Sequence, residues 1–187
     1  MKLSRDFYTR PDVTQISQEL LGKYLFTNIG GQITAGMIVE TEAYCGRGDK
    51  ACHANNKRTP RTEVMYAEGG KAYVYLCYGI HHLFNIVTHV EGDADAVLIR
   101  AVEPVRGVDW MLIRRNMMKP KPVLTAGPGS MSAALGITTK HYGQDLLGDT
   151  IWVEDRGITV AKHDIIASPR VGWPMPPKMR CAHGASA

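Results

Sequence analysis

The order of hydrophobic and polar residues near the start of the chain predicts one short helix followed by two strands. Asp12 is followed by Gln15 three positions later, and apolar residues then recur at helical spacing up to Gly22. A capping residue, a helical period and a terminating glycine together are typical of a short amphipathic helix. Segments 23–29 and 32–44 are rich in β-branched side chains and alternate apolar with polar residues, which predicts strands.

The remainder of the chain is predicted to continue mainly as strands. Segment 71–90 is β-branched and aromatic on both sides of Gly79, so we expect two strands joined by a turn with Tyr78 at its tip. Segment 47–70 is a long, polar and basic connection, and loops of this length are usually functional or disordered. Further along, the pattern predicts a strand over 95–105 and then a basic amphipathic helix over 106–118, with Val108, Met111, Leu112 and Met117 facing inward. A glycine-rich turn that opens a short helix is predicted over 126–137. A closing hairpin is predicted to pair 149–155 with 157–162.

Segment 36–46 contains two glutamates and a tyrosine at successive alternate positions. Because side chains alternate between the faces of a strand, we expect one face of this segment to hold Ile38, Glu40, Glu42 and Tyr44. Same-face neighbours lie roughly 6.5 to 7 Å apart, a spacing at which one carboxylate can act while the other raises its pKa or holds a partner. From the pattern alone, a solvated strand face is the commoner explanation, and the spacing does not choose between the two glutamates.

Length and composition indicate a single domain without a membrane segment. We place this domain at residues 1–175 of the 187-residue chain, with residues 176–187 as a flexible tail. No apolar run approaches the roughly 20 residues needed to cross a bilayer. The four cysteines form no CxxC pair and follow no N-terminal apolar stretch, so we expect free thiols and a cytoplasmic location.

Basic residues are concentrated in two segments, although the formal net charge is only +4. Five basic residues and one acidic residue lie between Arg47 and Arg61, and six basic and two acidic residues lie between Arg100 and Lys121. Each run alone is most simply a solvated loop or helix face. Together they are compatible with a surface that binds a polyanion.

The candidate chemistry narrows to carboxylates, tyrosines and one histidine. His81 and His82 are adjacent, so on a strand they point to opposite faces and cannot share a metal ion. The segment GPGS before a predicted helix lacks the spacing of a nucleotide-binding P-loop. Tyrosines among basic loops suit base stacking beside a phosphate backbone, although tyrosines on a sheet more often serve in packing. The residues concerned are Tyr44, Tyr73, Tyr75 and Tyr78, with His53 in the basic loop.

Six motifs in series make the chain recognisable. IVETEAY, ACHA, RTPR, KAYVYLCYGIHHLFNIV, EGDADAVLIRAVEP and AGPGSMSAALGI have the order and spacing of the alkyladenine (methylpurine) DNA glycosylase family, which the chain resembles over roughly residues 4–172. The resemblance implies an α+β fold, a single mixed domain with a curved, mainly antiparallel sheet flanked by short helices. It also implies a monomer that acts on double-stranded DNA containing damaged purines and needs no metal or organic cofactor.

The resemblance also implies a role for individual residues. Glu42 would be the general base that activates water, and Arg100 would help to hold that water. The pocket for a flipped purine would be formed by Tyr44, His53 and Tyr75 as walls and Asn85 as floor, with Tyr78 filling the gap in the duplex and Asp93 supporting the adjacent loop. The implied reaction is monofunctional excision of alkylated or deaminated purines, which leaves an abasic site.

Two departures from the family pattern and two alternative functions remain beside this interpretation. Ser130 stands where the family usually has a lysine, and residues 173–180 are WPMPPKMR in place of an aromatic-rich ending. A non-catalytic module for damaged or structured nucleic acid would use the same basic and aromatic residues but leave Glu42 without a task. A carbohydrate hydrolase would use carboxylates roughly 6.5 to 9.5 Å apart, although a sugar site does not call for so many basic residues.

Overall fold

The structure is a computed structural model that describes residues 1–55, 57–169 and the strand at 177–181. Its helices are α1 (Arg5–Tyr8), α2 (Val13–Glu19), α3 (Val108–Arg115) and α4 (Pro128–Leu135). Its strands are β1 (Tyr24–Ile29), β2 (Gln32–Tyr44), β3 (Ala72–Cys77), β4 (His81–Thr88), β5 (Asp95–Arg106), β6 (Ile151–Glu154), β7 (Ile165–Pro169) and β8 (Pro177–Cys181). Short 3-10 turns cover Glu63–Tyr66, Pro122–Leu124, Thr139–His141 and Lys162–Asp164.

A curved antiparallel sheet forms the centre of the fold. Its strands follow the order β3-β4-β5-β2-β1-β6, and β8 pairs with both β2 and β7. Along one edge β2 pairs with β5, whereas its other edge is shared by β1 and then by β8. This arrangement confirms the predicted α+β class with a mainly antiparallel sheet.

The predicted N-terminal helix and the central hairpin are both confirmed. The Asp12 carboxylate caps α2 by accepting the Gln15 backbone N–H at 3.0 Å. β3 and β4 meet at a turn whose residues Tyr78 and Gly79 have φ of 51° and 73°, a region that glycine adopts readily and tyrosine rarely. Residues 78–80 connect the two strands, because Cys77 pairs with His81.

The two predicted helices in the second half of the chain are also confirmed. Met111 on α3 is fully buried, while Val108, Leu112 and Met117 pack against the same core. Gly136 ends α4 in the left-handed conformation, which a residue without Cβ adopts at no steric cost.

Apolar clusters cover both faces of the sheet. The larger cluster joins helix residues such as Ile16 and Met111 to Phe84 and Ile99 on one face of β4 and β5. The smaller cluster forms where segment 47–70 packs with Met65 against Tyr73 on the opposite face. Burial of these side chains anchors the long connection to the sheet, on the face that holds the candidate site.

The expectation that Ile38 shares a face with the glutamates is wrong. The pairing of β2 with β5 shifts register between Ile38 and Glu40, so Val39 is an extra residue that opposes none on β5. A bulge of this kind reverses the alternation of side chains. Ile38 therefore lies in the larger core cluster with Ala43, while Glu40 and the residues in step after it face the other side.

The predicted closing hairpin of 149–155 with 157–162 is wrong in its second arm. β6 pairs with β1 on one edge. On its other edge the Leu3 N–H donates to the Val153 carbonyl at 2.9 Å, and the Asp155 N–H donates to the Met1 carbonyl at 2.8 Å. Because the N-terminus occupies the edge that a hairpin partner would need, residues 157–162 form no strand.

Part of the predicted tail is visible in the structure. Of residues 176–187, the structure describes β8, which pairs with β2 opposite Glu40, Thr41 and Glu42. The rest of the tail lies outside the described residues, and the boundary at residue 175 stays a prediction. Among the helices described, none is long and apolar enough to span a membrane.

Candidate active site

A register shift between β2 and β5 brings two glutamates and an arginine together. Glu40 pairs with Ala101 and Thr41 pairs with Ile99, so Arg100 is left without a partner residue in the ladder. Such an irregularity re-aims the side chain of the unpaired residue. Arg100 thereby reaches both carboxylates on its face of the sheet.

The Glu42 carboxylate is buried and held at both oxygens. The Glu42 residue as a whole is only 3% exposed. Arg100 Nη1 lies 3.1 Å from Oε1, and the Tyr44 hydroxyl donates to Oε2 at 2.7 Å. Arg100 Nε also donates to Glu40 Oε1 at 3.1 Å. A buried carboxylate needs such partners, and here they fix its plane and place a positive charge beside it.

This carboxylate lies in the wall of a cavity of about 420 Å³. Seven of the eight site residues predicted from the sequence line it, namely Glu42, Tyr44, His53, Tyr75, Tyr78, Asn85 and Arg100. The cavity is also lined by Cys52, Met65, Leu83 and Leu98, which were not predicted from the sequence, and by Tyr73, which the sequence indicated only as one of the tyrosines suited to base stacking. Tyr73, Leu83 and Leu98 each lie two positions before Tyr75, Asn85 or Arg100 on the same strand, so strand alternation could have placed them in the cavity. Cys52 and Met65 lie in the same segment, 47–70, as His53.

Aromatic rings form one side of the cavity. His53 and Tyr75 meet edge to face with ring centres 4.7 Å apart, and Tyr73 lies 5.4 Å from Tyr75. His53 Nδ1 lies 2.9 Å from the Tyr73 hydroxyl. Burial raises the pKa of the Tyr75 and Tyr73 phenols above the ordinary value, so both remain neutral donors at physiological pH. A wall of neutral aromatic rings suits a flat aromatic ligand.

The His53 ring is also kept neutral, although the residue as a whole is exposed. Burial of the imidazole against the tyrosines, and then the positive charge of Arg61, lower the pKa of His53 to about 4. A neutral imidazole has one N–H donor and one acceptor nitrogen. The aromatic side of the cavity therefore holds no positive charge at neutral pH.

Asn85 lines the cavity and is 4% exposed. It pairs with Tyr73 in the β3–β4 ladder, and its amide nitrogen donates to the Tyr73 carbonyl at 3.1 Å. This bond fixes the orientation of the amide group. The side chain thus presents a rigid polar surface to whatever the cavity holds.

Tyr78 projects from the tip of the β3–β4 hairpin at the mouth of the cavity. It is 92% exposed, and its φ of 51° is unusual for an aromatic residue. Gly79 follows it in the same turn, and the Ile80 N–H donates to the Cys77 carbonyl at 3.2 Å. Packing within the protein does not explain why the large Tyr78 ring is exposed on a strained backbone. The ring is therefore a candidate for contact with another molecule.

Asp93 lies apart from the cavity, where it connects two loops. Its carboxylate meets Arg47 Nη1 and His89 Nδ1, each at 3.0 Å. Nearby, the buried Asp95 accepts the Gly46 N–H at 2.8 Å. These bonds tie the end of β2 and the start of segment 47–70 to the β4–β5 connection. The role of Asp95 could not be predicted from the sequence, because a carboxylate that binds a backbone group far away in the chain leaves no local pattern of residues.

Within the described residues, no group of three or more His, Cys, Asp or Glu side chains is placed to hold a metal ion. Cys45, Cys52 and Cys77 are free thiols. Burial raises the pKa of the Cys52 thiol to about 12, so this residue behaves as a packing group. The polar side chains described in the cavity lining carry carboxylate, guanidinium, phenol, imidazole, amide and thiol groups.

Comparison with known proteins places this site in a family. A sequence model of methylpurine-DNA glycosylase matches residues 6–177. Relatives from Chlorobaculum tepidum and Chlamydia felis are 44% and 45% identical over 172 residues, with 91% of this chain and 81% and 87% of theirs covered. A relative from Chlorobium phaeobacteroides is 46% identical over 172 residues, which cover 91% of this chain and 85% of its own. These three are named provisionally as 3-methyladenine DNA glycosylases.

The matched region contains β1 to β7 and every lining residue of the cavity named above. The class is thus that of the DNA glycosylases. Within it, the chain belongs to the methylpurine-DNA glycosylase family.

Proposed function

We propose that the protein is a monofunctional base-excision repair glycosylase that flips alkylated or deaminated purines out of duplex DNA and hydrolyses the N-glycosidic bond. The single observation that carries the proposal is the buried Glu42 carboxylate in the wall of an aromatic cavity, oriented by Arg100 and Tyr44. Glu42 is the general base in this proposal. Family membership gives the DNA glycosylase class, and the arrangement of these side chains supports the finer assignment.

Base recognition requires that the purine leave the stack. Extrusion of a base costs a few kcal/mol, and less for a lesion that pairs badly. Tyr78 at the hairpin tip is placed to fill the gap in the duplex, since its ring is exposed beside the cavity mouth. The extruded ring would then stack against Tyr75 and His53. Both contacts offset the cost of extrusion.

Bond cleavage builds positive charge on the sugar and needs an activated water. Arg100 and Tyr44 occupy one acceptor position on each Glu42 oxygen. A carboxylate has about four such positions, so it can still accept a proton from water. Its negative charge also stabilises oxocarbenium character at C1′. Arg100 is close enough to the carboxylate to orient the same water.

The described residues that line the cavity offer no amine for covalent catalysis. Among the described residues that line it, none is a lysine. A Schiff base with the sugar is therefore not expected, and water is the nucleophile in our proposal. The product is an intact strand with an abasic site.

The geometry also bears on the two alternatives. Glu40 and Glu42 both bind the guanidinium of Arg100, so they share one cation rather than flank a sugar ring from opposite sides. This disfavours a carbohydrate hydrolase. A module that only binds nucleic acid has no use for a desolvated carboxylate, which is costly to bury.

Base release from a duplex with a single hypoxanthine or 3-methyladenine tests the proposal. We expect excision that persists in EDTA, alkali-labile abasic sites as the only strand product, and no protein–DNA adduct after borohydride treatment. Tight binding of the lesion duplex without release would support the binding module instead. Loss of activity with chelator, or a trapped adduct, would contradict the proposed chemistry.

A further inference from the structure

Tyr142 connects two parts of the chain beside the aromatic side of the cavity. Its hydroxyl accepts the Val64 N–H at 3.0 Å and donates to the Pro60 carbonyl at 3.3 Å. A hydroxyl has one donor hydrogen and two acceptor positions, so both bonds can form at once. The two backbone groups belong to residues 57–66, which we call the wall segment. One side chain from outside the wall segment therefore holds it at two points.

The backbone around Tyr142 is itself bonded to the central hairpin. The Thr139 N–H donates to His82 Nδ1 on β4 at 3.2 Å. On the other side of Tyr142, the Gly143 N–H donates to the Ala72 carbonyl on β3 at 2.8 Å. Tyr142 is thus fixed to the two strands, β3 and β4, whose side chains line much of the cavity.

Both ends of this connection bear on the lining of the cavity. Met65 lines the cavity, is 2% exposed and follows Val64 directly in the wall segment. The Tyr142 ring meets the Tyr73 ring edge to face, with ring centres 6.3 Å apart. Tyr73 in turn bonds His53 at 2.9 Å. A shift of the wall segment relative to β3 would therefore move Met65 within the lining.

A further pair of bonds holds the wall segment only at its end. The Gly92 N–H donates to the Tyr66 carbonyl at 2.8 Å, and the Tyr66 hydroxyl donates to the Ala54 carbonyl at 3.0 Å. The second of these bonds lies wholly within segment 47–70. Neither bond reaches residues 60–64, which the Tyr142 hydroxyl holds. The middle of the wall segment therefore depends on Tyr142 for its distance from β3.

We propose that Tyr142 is a positioning residue of the pocket, whose hydroxyl holds the wall segment at the distance from the β3–β4 hairpin that excision requires. The inference rests on the proposed function and adds a residue that is absent from the described lining of the cavity. Its effect on the rate is indirect. A base displaced by about 1 Å from the reactive geometry can react roughly 100-fold more slowly, even when the altered residue is remote from the chemistry.

Tyr142→Phe and Tyr66→Phe form a matched pair of variants. Each removes one phenolic hydroxyl that bonds the backbone of segment 47–70, and each keeps its ring. Neither tyrosine is among the described residues that line the cavity. Tyr142→Phe releases the wall segment from the hairpin, whereas Tyr66→Phe removes a bond inside segment 47–70. A purely structural effect of a lost hydroxyl should therefore appear in both variants.

The first measurement is hydrogen–deuterium exchange of the Val64 amide, followed by NMR. Its N–H loses its acceptor in Tyr142→Phe, so exchange should become about fivefold faster or more. In Tyr66→Phe the exchange of this amide should stay at the original rate. Equal exchange in Tyr142→Phe and the unaltered protein would show that the hydroxyl does not hold the wall segment, and would overturn the inference.

The second measurement compares two properties of each variant. One is the single-turnover rate of hypoxanthine release at saturating protein, and the other is the affinity for a duplex that carries a tetrahydrofuran abasic analogue. Tyr142→Phe should lower the rate about tenfold, because the flipped base is held less precisely. Its affinity for the analogue should not change, because an abasic site places no base in the pocket. Tyr66→Phe should match the unaltered protein in both properties.

The outcomes separate failure of the inference from failure of the proposed function. An unchanged rate in Tyr142→Phe, or an equal loss of rate in Tyr66→Phe, would overturn the inference while the unaltered protein remains an active glycosylase. A parallel loss of analogue affinity in Tyr142→Phe would indicate a general disturbance of DNA binding and would also overturn it. If the unaltered protein releases no base, the proposed function fails, and the role of Tyr142 in excision fails with it.

Discussion

The Tyr44 hydroxyl donates a 2.7 Å hydrogen bond to Glu42 Oε2 from the next site-facing position of the same strand. The strand period of two places the residues side by side, and Arg100 from β5 completes the arrangement at Oε1. The general base that we propose for Glu42 must be held in this way, because a misplacement of about 1 Å can cost roughly 100-fold in rate.

Replacement of Tyr78 should separate function from stability. Tyr78→Asn keeps a residue that tolerates positive φ and removes only an exposed ring, so the Tm should not fall. Excision from fully paired duplex should fall about tenfold or more, because the extruded base is no longer replaced in the stack. Tyr78→Phe keeps the ring and is expected to remain near the original rate. Normal excision by Tyr78→Asn in single-turnover assays would exclude the gap-filling role.

Asn85 is expected to exclude guanine from the pocket. Guanine differs from hypoxanthine by a 2-amino group, and a fixed polar side chain in the cavity lining can reject it by clash or by leaving a donor unpaired. Asn85→Ala and Asn85→Ser should open space and increase guanine release, most clearly from mismatches, where flipping costs least. Variants that excise hypoxanthine as before and gain nothing against mismatched guanine would show that selectivity arises elsewhere in the pocket.

The elements that the sequence predicted well depend on local patterns. The Asp12 cap, the Tyr78–Gly79 turn and the alternation of Glu40, Glu42 and Tyr44 each involve residues close in the chain. A tight turn or an N-cap leaves a signature in residue types at fixed spacing, so it can be recognised without tertiary information.

The features that the sequence did not predict depend on contacts between distant segments. The bulge that places Ile38 in the core depends on the register between β2 and β5. The second arm of the predicted hairpin is absent from residues 157–162 because the N-terminus occupies the edge of β6. Arg61 lies against His53 and Tyr75 only because segment 47–70 folds over the sheet. For the candidate site, family resemblance supplied the choice of Glu42 over Glu40, which spacing could not make.

Acid should remove one contribution to stability at Asp145. Arg5 Nη2 and Lys71 Nζ each lie 2.7 Å from its Oδ2 atom. Burial raises the pKa, but the bonds from Lys71, the Leu147 N–H and Arg5 outweigh it and lower the pKa of Asp145 to about 2. The folded-state pKa is below the unfolded value near 3.9, so this stabilisation is present above about pH 4 and is lost as the pH falls toward 2.

Asp145→Asn should therefore lower the free energy of unfolding at pH 7 by about 1 kcal/mol, since water screens a side chain that is one-third exposed. In urea unfolding, the difference from the unaltered protein should shrink toward pH 2. A difference of equal size at pH 7 and pH 2.5 would mean that the charge of Asp145 does not contribute to stability.

Binding to undamaged duplex should weaken steeply with salt. The basic residues of 47–61 and 106–121 would neutralise phosphates and release counterions, so log K should fall against log[salt] with a slope of about −0.9 per phosphate contacted. The Lys121 side chain is exposed, and we expect it to contact one phosphate of the DNA backbone. Lys121→Ala should therefore make this slope shallower by about 0.9. Fluorescence anisotropy between low and physiological salt measures both slopes. A flat response would place these segments away from the DNA.

The most direct test of the central claim is single-turnover release of hypoxanthine by Glu42→Gln compared with Glu40→Gln. Glutamine keeps the shape of either side chain and removes its charge, and both glutamates contact Arg100. We predict that Glu42→Gln lowers the rate by about 100-fold or more, with lesion affinity preserved, because only this change removes the proton acceptor. Glu40→Gln should stay within about tenfold of the original rate, since it loses only a partner of Arg100. A normal rate for Glu42→Gln together with an inactive Glu40→Gln would contradict the account and make Glu40 the general base.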